Sequence, residues 1–368
     1  MRRYRPESRQ KQGRTSPGPL ASDPAQARGQ TDDVDHLPIV DVAPMVANLG
    51  AATVGAEEAT AAAAIDTACR DLGFFLIRGH GIAPDLLASL DVAARAFFAL
   101  PDAEKGAITM ARGGRAWRGW FPEGGELTSG RPDHKEGLYF GAELPSDDPR
   151  VVAGVPLHGP NQFPEEPAEL GPLVLAWIDA MTRLGHALVR GVAVGLGLAP
   201  GWFDEHLTAD PTVLFRIFRY PPLPDSDDGW GVAEHTDYGL LTILAHDGTP
   251  GLQVRSAGGW LDVPAVEGTF VVNLGDMLER MTGGRYQSTP HRVRHQRAGR
   301  DRLSFPFFFD PGWNADIGPV PTAVPTDPRG DTDRWDGASV HDWSGTYGDY
   351  LTAKVAKVFP ALSDQLPH

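Results

Sequence analysis

The stretch VLFRIFRYPPLPDSDDGWGVAEHTDYGLLTIL, residues 213–244, contains the change of period that decides the fold. Upstream of it, apolar residues recur every three or four positions, and Leu173, Trp177, Met181, Leu184, Leu188 and Val192 mark one long packed helix over 170–198. From Val213 onward the period is two. VLFRIFRY (213–220), LLTIL (240–244), GLQVR (251–255), TFVVNL (269–274), HRVR (291–294) and LSFPFFF (303–309) read as short strands separated by Gly, Pro, Asp and Asn turns. Such spacing means an antiparallel sandwich or barrel.

The first half is mixed. LPIVDV (37–42) reads as a strand, followed by an alanine-rich helix to about Arg70 and a strand over 73–78. Pro84 suits the first turn of a helix that places Leu86, Leu87, Leu90, Ala94, Phe97 and Phe98 on one face. Residues 112–167, dense in Gly, Pro and charge, read as loops and short strands, and a last helix is expected over 344–358. The expected organisation is a polar tail over 1–36 with too few apolar residues to order itself, a mixed N-terminal region over 37–200, a strand-rich core over 201–320, and a C-terminal extension with its helix over 321–368.

Bulk composition narrows the function. At 368 residues and 41% hydrophobic the chain can bury a substantial core. The net charge is -15, although the first thirty residues hold seven Arg or Lys against Glu7 and Asp23, so the body is more acidic than the total and no nucleic acid is expected as partner. A single cysteine, Cys69, excludes a disulfide framework, a cysteine zinc cluster and an iron-sulfur site; it reads as a small core residue. Histidines and carboxylates are left as metal ligands. No apolar run approaches the roughly 20 residues of a membrane span, and no secretory signal is visible, so a cytoplasmic protein without a membrane partner is expected. Nothing in the pattern specifies an oligomeric state.

Within the opening stretch, His235-x-Asp237 would point both side chains to one face of a strand, where they could reach one ion. On the order of one such pair is expected by accident in a chain with this many histidines, so the pair needs partners. The second half supplies them: His291 opens one strand, and Arg302-x-Ser304 opens another. Two histidines and one carboxylate with three positions left open form the facial triad of non-haem Fe(II) oxygenases, whose open positions admit both a co-substrate and dioxygen. A structural zinc site would need a fourth protein ligand. His246 and His295 are the competing histidines, and His295 would lie roughly 13 Å along the strand from His291, too far to share the ion. Arg302 and Ser304 share a face and form a carboxylate clamp. A clamp beside an open iron asks for a dicarboxylate that chelates at one end, and 2-oxoglutarate is that molecule. The arginines at 292, 294, 297, 300 and 302 read as mostly solvent-facing on an alternating strand and not as a nucleic-acid patch. Asn273-x-Gly-Asp276 reads as a tight turn that stiffens the barrel, and Phe305 and Phe307 read as core.

The landmarks RYPP (219–222), HTDYGLLTIL (235–244), GLQV (251–254), NLGD (273–276), STPHRV (288–293) and RLSFPFFF (302–309), with LPIVDV and GFFLIRGHGI (73–82) before them, resemble the isopenicillin N synthase-like 2-oxoglutarate- and Fe(II)-dependent dioxygenases. The resemblance runs from Leu37 to about Pro311. It implies a double-stranded β-helix, a jelly-roll core buttressed by helices; His235, Asp237 and His291 as ligands; Arg302 and Ser304 as the distal clamp; and Tyr220 as a contact to co-substrate or substrate. It further implies oxidation of a small molecule by hydroxylation, desaturation or cyclisation, with dioxygen consumed and succinate and CO2 released. By analogy with the family's substrate-side loops, Arg115, Trp117, Arg118, Lys135 and Glu136 are candidates to select the substrate. Phe218 stands where plant members carry asparagine, and the segment 115–141 matches no particular substrate class. Two other readings stay open at this stage: a 2-oxoglutarate-independent oxidase of the same family, and a non-catalytic jelly-roll that binds a metal or ligand.

Overall fold

β-Branched and aromatic residues at alternating positions build the strands, and the computed structural model describes them within residues 37–128, 130–222, 230–295, 299, 301–323 and 343–358. The tail expected over 1–36 lies outside the described residues, as do Arg297 and Arg300. The strands are β1 (Ile39–Asp41), β2 (Phe74–Arg78), β3 (Gly119–Phe121), β4 (Leu127–Thr128), β5 (Arg131–Pro132), β6 (Glu136–Gly141) and β7 (Thr212–Tyr220). They continue with β8 (Trp230–His235), β9 (Leu241–His246), β10 (Leu252–Ser256), β11 (Gly259–Asp262), β12 (Phe270–Leu274), β13 (His291–Arg294) and β14 (Arg302–Asp310). The helices are α1 (Ala43–Ala47), α2 (Ala56–Asp71), α3 (Pro84–Phe98), α4 (Asp102–Lys105), α5 (Pro149–Val152), α6 (Leu170–Gly195), α7 (Trp202–His206), α8 (Asp276–Met281) and α9 (Tyr347–Val358). None of the described helices is long and apolar enough to cross a membrane.

Eight strands form one sheet in the order β1-β2-β12-β9-β14-β7-β6-β3, and four form a second in the order β11-β10-β13-β8. All pairings are antiparallel except β1 with β2. The N-terminal region is therefore built into the large sheet, β1 and β2 extending one edge and β6 and β3 the other. The central strands β7 and β14 turn one face to α6 and the other to a cavity. Along β14, Phe305, Phe307 and Phe309 are fully buried, and Trp177 and His186 of α6 meet Phe305 and Phe309 at ring separations of 6.5 and 4.9 Å. Arg302, Ser304, Pro306 and Phe308 turn the other way, into a cavity. Strand β7 alternates likewise, with Phe215 near Trp177 and Leu214, Arg216, Phe218 and Tyr220 on the cavity side. The β7–β14 register is constant from Arg302↔Tyr220 to Asp310↔Thr212 but omits pairs at Phe305 and Pro306, where proline has no N–H to give.

Two expectations from the sequence need correction. Asp237 is not on a strand: β8 ends at His235 and the chain turns, so period-two geometry does not bring the pair together. Nor is Asn273-x-Gly-Asp276 a simple turn. Asn273 lies within β12, Gly275 caps α8 and Asp276 opens it. This segment is laced to the loop after β8 by Asp276 N–H to the Asp237 carbonyl (2.8 Å) and Gly275 N–H to the Leu240 carbonyl (3.0 Å). The approach needs glycine, because a Cβ at Gly275 would sit 2.3 Å from the Gly239 carbonyl oxygen. Gly275→Ala should therefore lower stability by about 2 kcal/mol or more, read as a shift of the urea midpoint at constant slope. An unchanged midpoint would mean that the two loops are not held in this contact.

Candidate active site

Three chain segments bring His235, Asp237 and His291 together. His235 ends β8 and His291 opens β13, and the two residues are directly paired across that ladder with ring centroids 4.2 Å apart. The Nε2 atoms lie 3.9 Å (His235) and 3.8 Å (His291) from the Asp237 carboxylate oxygens, and one ligand atom from each residue falls within 4.8 Å of the others. Among the described residues this is the group that could hold a metal ion. Tautomers follow from backbone partners: each Nδ1 faces a carbonyl, Ala233 at 2.8 Å and Thr289 at 3.2 Å, so each Nδ1 donates and each Nε2 keeps its lone pair for a metal. Burial lowers the pKa of both rings. For His291, burial and then the neighbouring His235 push it down to about 4, so both imidazoles are neutral at pH 7.

Asp237 is 8% exposed. Burial alone would raise its carboxyl, but His291, His235 and hydrogen bonds from Thr242 and Asn273 hold it below the ordinary carboxylate range. Thr242 Oγ1 and Asn273 Nδ2 each donate to Oδ2 at 2.6 Å, which fixes the carboxylate plane and leaves Oδ1 facing His235. A neutral pair of imidazoles with one anchored monoanion, open on the cavity side, fits Fe(II) with vacant positions. Thr242 and Asn273 escaped the sequence reading. The signal was present for Thr242, two residues before Leu244 on a strand that faces the cavity, but Asn273 reaches Asp237 only through sheet pairing.

The cavity, of about 360 Å3, runs from these three residues to Arg302, Ser304 and Tyr220. Arg302 is 2% exposed, with its guanidinium carbon 4.9 Å from the centre of the Tyr220 ring. Its Nε reaches only the Thr249 carbonyl, at 3.4 Å, and its Nη1 is buried with no protein partner. Ser304 Oγ is 3.4 Å from Tyr220 Oη. A buried guanidinium with an unsatisfied donor, beside a hydroxyl pair, fits a carboxylate. His246 also approaches Arg302 but lies outside the metal group, and His295 lies beyond the end of β13.

Of the residues expected to face substrate, Lys135 lines the cavity and the other four do not. Arg115 bonds the Gly154 carbonyl, Trp117 is buried core, Arg118 is buried and bonds the Leu157 carbonyl, and Glu136 is tied to Lys105, Trp120 and Arg219. Lys135 itself pairs with Glu126 (2.8 Å) and Asp133 (2.6 Å). The cavity is also lined by Glu126, Arg216, Tyr238, Phe308 and the α9 residues Leu351, Lys354 and Val355. Arg216 could have been noticed as a charge at an inward position of an alternating strand. The contribution of α9 could not, because it comes from far along the chain.

The chain is similar to known proteins in sequence and fold. Residues 37–166 match the N-terminal region described for a non-haem dioxygenase in morphine synthesis, and residues 211–311 match the 2OG-Fe(II) oxygenase superfamily. A probable iron/ascorbate oxidoreductase of Dictyostelium discoideum is 46% identical over 325 residues, spanning 82% of this chain and 90% of the relative. A homoarginine-6-hydroxylase of Arabidopsis thaliana is 33% identical over 339 residues, spanning 89% and 98%. The crystal structure of a full-length Neurospora crassa protein in complex with alpha-KG superposes with a TM-score of 0.71 at 26% identity, covering 88% of this chain and 98% of that one. Fold and site thus define a non-haem oxygenase with a jelly-roll core. The chain belongs to the 2OG-Fe(II) oxygenase superfamily, whose cofactors are Fe(II) and 2-oxoglutarate.

Asn273→Ala should free one side of the Asp237 carboxylate and weaken Fe(II) binding about 10- to 100-fold, measured anaerobically by metal titration, while the fold, read by circular dichroism, persists. Wild-type affinity in this variant would show that the hydrogen bond does not orient the ligand.

Proposed function

We propose that His235, Asp237 and His291 hold Fe(II), that Arg302, Ser304 and Tyr220 hold the far carboxylate of 2-oxoglutarate, and that the enzyme oxidises a C–H bond of a small molecule by hydroxylation, desaturation or cyclisation. The observation that carries this reading is the pairing of an open three-ligand set with a buried, donor-unsatisfied arginine at the other end of one cavity. The cavity volume suits a small molecule, and a relative is named for the 6-hydroxylation of homoarginine.

Bound iron would supply the redox chemistry that couples dioxygen and 2-oxoglutarate, yielding succinate and CO2, to substrate oxidation. The chain's own part is placement. Nδ1–H bonds to Ala233 and Thr289 orient both rings toward the metal, and Thr242 with Asn273 keeps Asp237 from rotating. Arg302 and Ser304 set how deep the co-substrate sits, and Phe308, Leu351 and Val355 line the cavity with apolar surface. The reaction type then depends on which hydrogen the cavity wall presents, since misplacement by about an ångström is enough to lose or divert the reaction.

Anaerobic addition of Fe(II) and then 2-oxoglutarate should give a weak charge-transfer band near roughly 500 nm, the mark of a chelated co-substrate on an open iron. His291→Ala should abolish it. Arg302→Ala should retain iron while raising the 2-oxoglutarate concentration for half-saturation by roughly 30-fold or more, the cost of removing one side of a buried charge pair. Iron binding without a band would overturn the co-substrate assignment, and failure to bind iron would overturn the ligand set.

A further inference from the structure

We propose that Arg216 anchors a carboxylate of the primary substrate, so that this oxygenase acts on a small carboxylic acid. The inference deepens the reading above and rests on it. Arg216 projects from β7 into the cavity with its side chain 14% exposed. Its guanidinium carbon packs 4.2 Å from the Tyr139 ring and 4.7 Å from the Phe308 ring. The nearest carboxylate oxygen, Glu126 Oε1, is 3.6 Å from Nη1, beyond hydrogen-bond length, and that oxygen already accepts from Tyr139 Oη. The Nε atom is buried without a partner. A guanidinium presents five N–H donors in a rigid fork; here Nε is unmet and the Glu126 ion pair is long, and a buried donor left unmet is costly. A two-oxygen acceptor approaching along the fork satisfies two donors at once.

Among the other cations at the cavity, Lys135 sits between Glu126 and Asp133 and Lys357 is exposed, while Lys354, 3.8 Å from Asp276, is a point-charge ammonium that cannot offer a planar fork. Arg302 is assigned to the co-substrate. Extrapolating the β7–β14 register places Arg216 opposite Pro306, four residues from Arg302 and so roughly 13 Å along the ladder, too far for one short diacid to engage both forks while chelating a metal. Two guanidiniums with unsatisfied donors at separated points of one cavity therefore call for two carboxylates on two molecules. The Phe308 ring and the Leu351 and Val355 side chains on the same wall favour an apolar body behind the acid group.

The test uses matched probes on the full-length Fe(II) enzyme at saturating 2-oxoglutarate under argon: butanoate, benzoate and 3-phenylpropanoate, each against its primary amide. Binding is followed by calorimetry with the charge-transfer band monitored, so that displacement of the co-substrate is seen separately. The acids should bind wild type roughly tenfold or more tighter than the amides, a preference that Arg216→Gln removes and Arg216→Lys, which keeps the charge but not the fork, retains in part. Equal binding of acid and amide to wild type overturns the proposal, as does a preference that survives in Arg216→Gln. The acid-to-amide comparison in wild type stands even if the glutamine variant fails to fold. Loss of the band in wild type would instead sink the site assignment on which the proposal rests.

Discussion

The charge on Asp237 is the constraint to which the rest of the site answers. A carboxylate this buried is stable as an anion only if hydrogen bonds and cationic or polarisable neighbours replace water. Here Oδ2 takes two short bonds, from Thr242 and Asn273, and lies 3.8 Å from His291 Nε2, while Oδ1 faces His235; both imidazoles are neutral because burial disfavours their protonation. The result is a monoanion held in place with no cation of its own, which is what a divalent ion completes. The backbone does comparable work: the Asp276 N–H holds the Asp237 carbonyl, so side chain and main chain of the ligand are fixed from the same segment.

That segment is also where the C-terminal helix attaches. Tyr350 Oη donates to Asp276 Oδ2 at 3.0 Å, and Tyr347 Oη donates to Asp310 Oδ2 at 2.6 Å. Asp310 Oδ1 in turn accepts the Leu240 N–H just beyond the metal loop, and burial pushes the Asp310 carboxyl up to about 7. Gly239 is a glycine for the same reason, since a Cβ there would overlap Asp310. Helix α9 thus lines the cavity with Leu351, Lys354 and Val355 while resting on two acids that brace the loop carrying Asp237.

Two groups of ion pairs lie around β6, of which only Glu126 and Lys135 line the cavity. Lys105, Arg219 and Glu136 form one group and Lys135, Glu126 and Asp133 another, each joining the segment before β7 to the large sheet or to its neighbours. Desolvation makes such groups weak contributors to net stability, and their effect is to fix register and orientation. The long helix α6 does the apolar counterpart, covering with Trp177 and its neighbours the face of β7 and β14 that turns away from the cavity.

By itself the sequence determined the strand-rich second half, the long helix before it, the apolar face of β14 and the residue types of a facial triad and its clamp. These follow from periodicity and from the chemistry of a few side chains, which are local properties. Only the tertiary structure decided that His235 and His291 are paired across one ladder, that Asp237 sits in a loop, and that Asn273 orients it, because sheet partners are chosen by packing between segments far apart in the chain. The same holds for the rest of the cavity wall. Arg115, Trp117, Arg118 and Glu136 carry the charge and aromaticity of a binding surface, yet their partners hold them elsewhere, while Arg216 on an ordinary-looking strand and α9 at the chain's end face the cavity. Composition records which groups are available, and burial and pairing decide which of them keep a free donor.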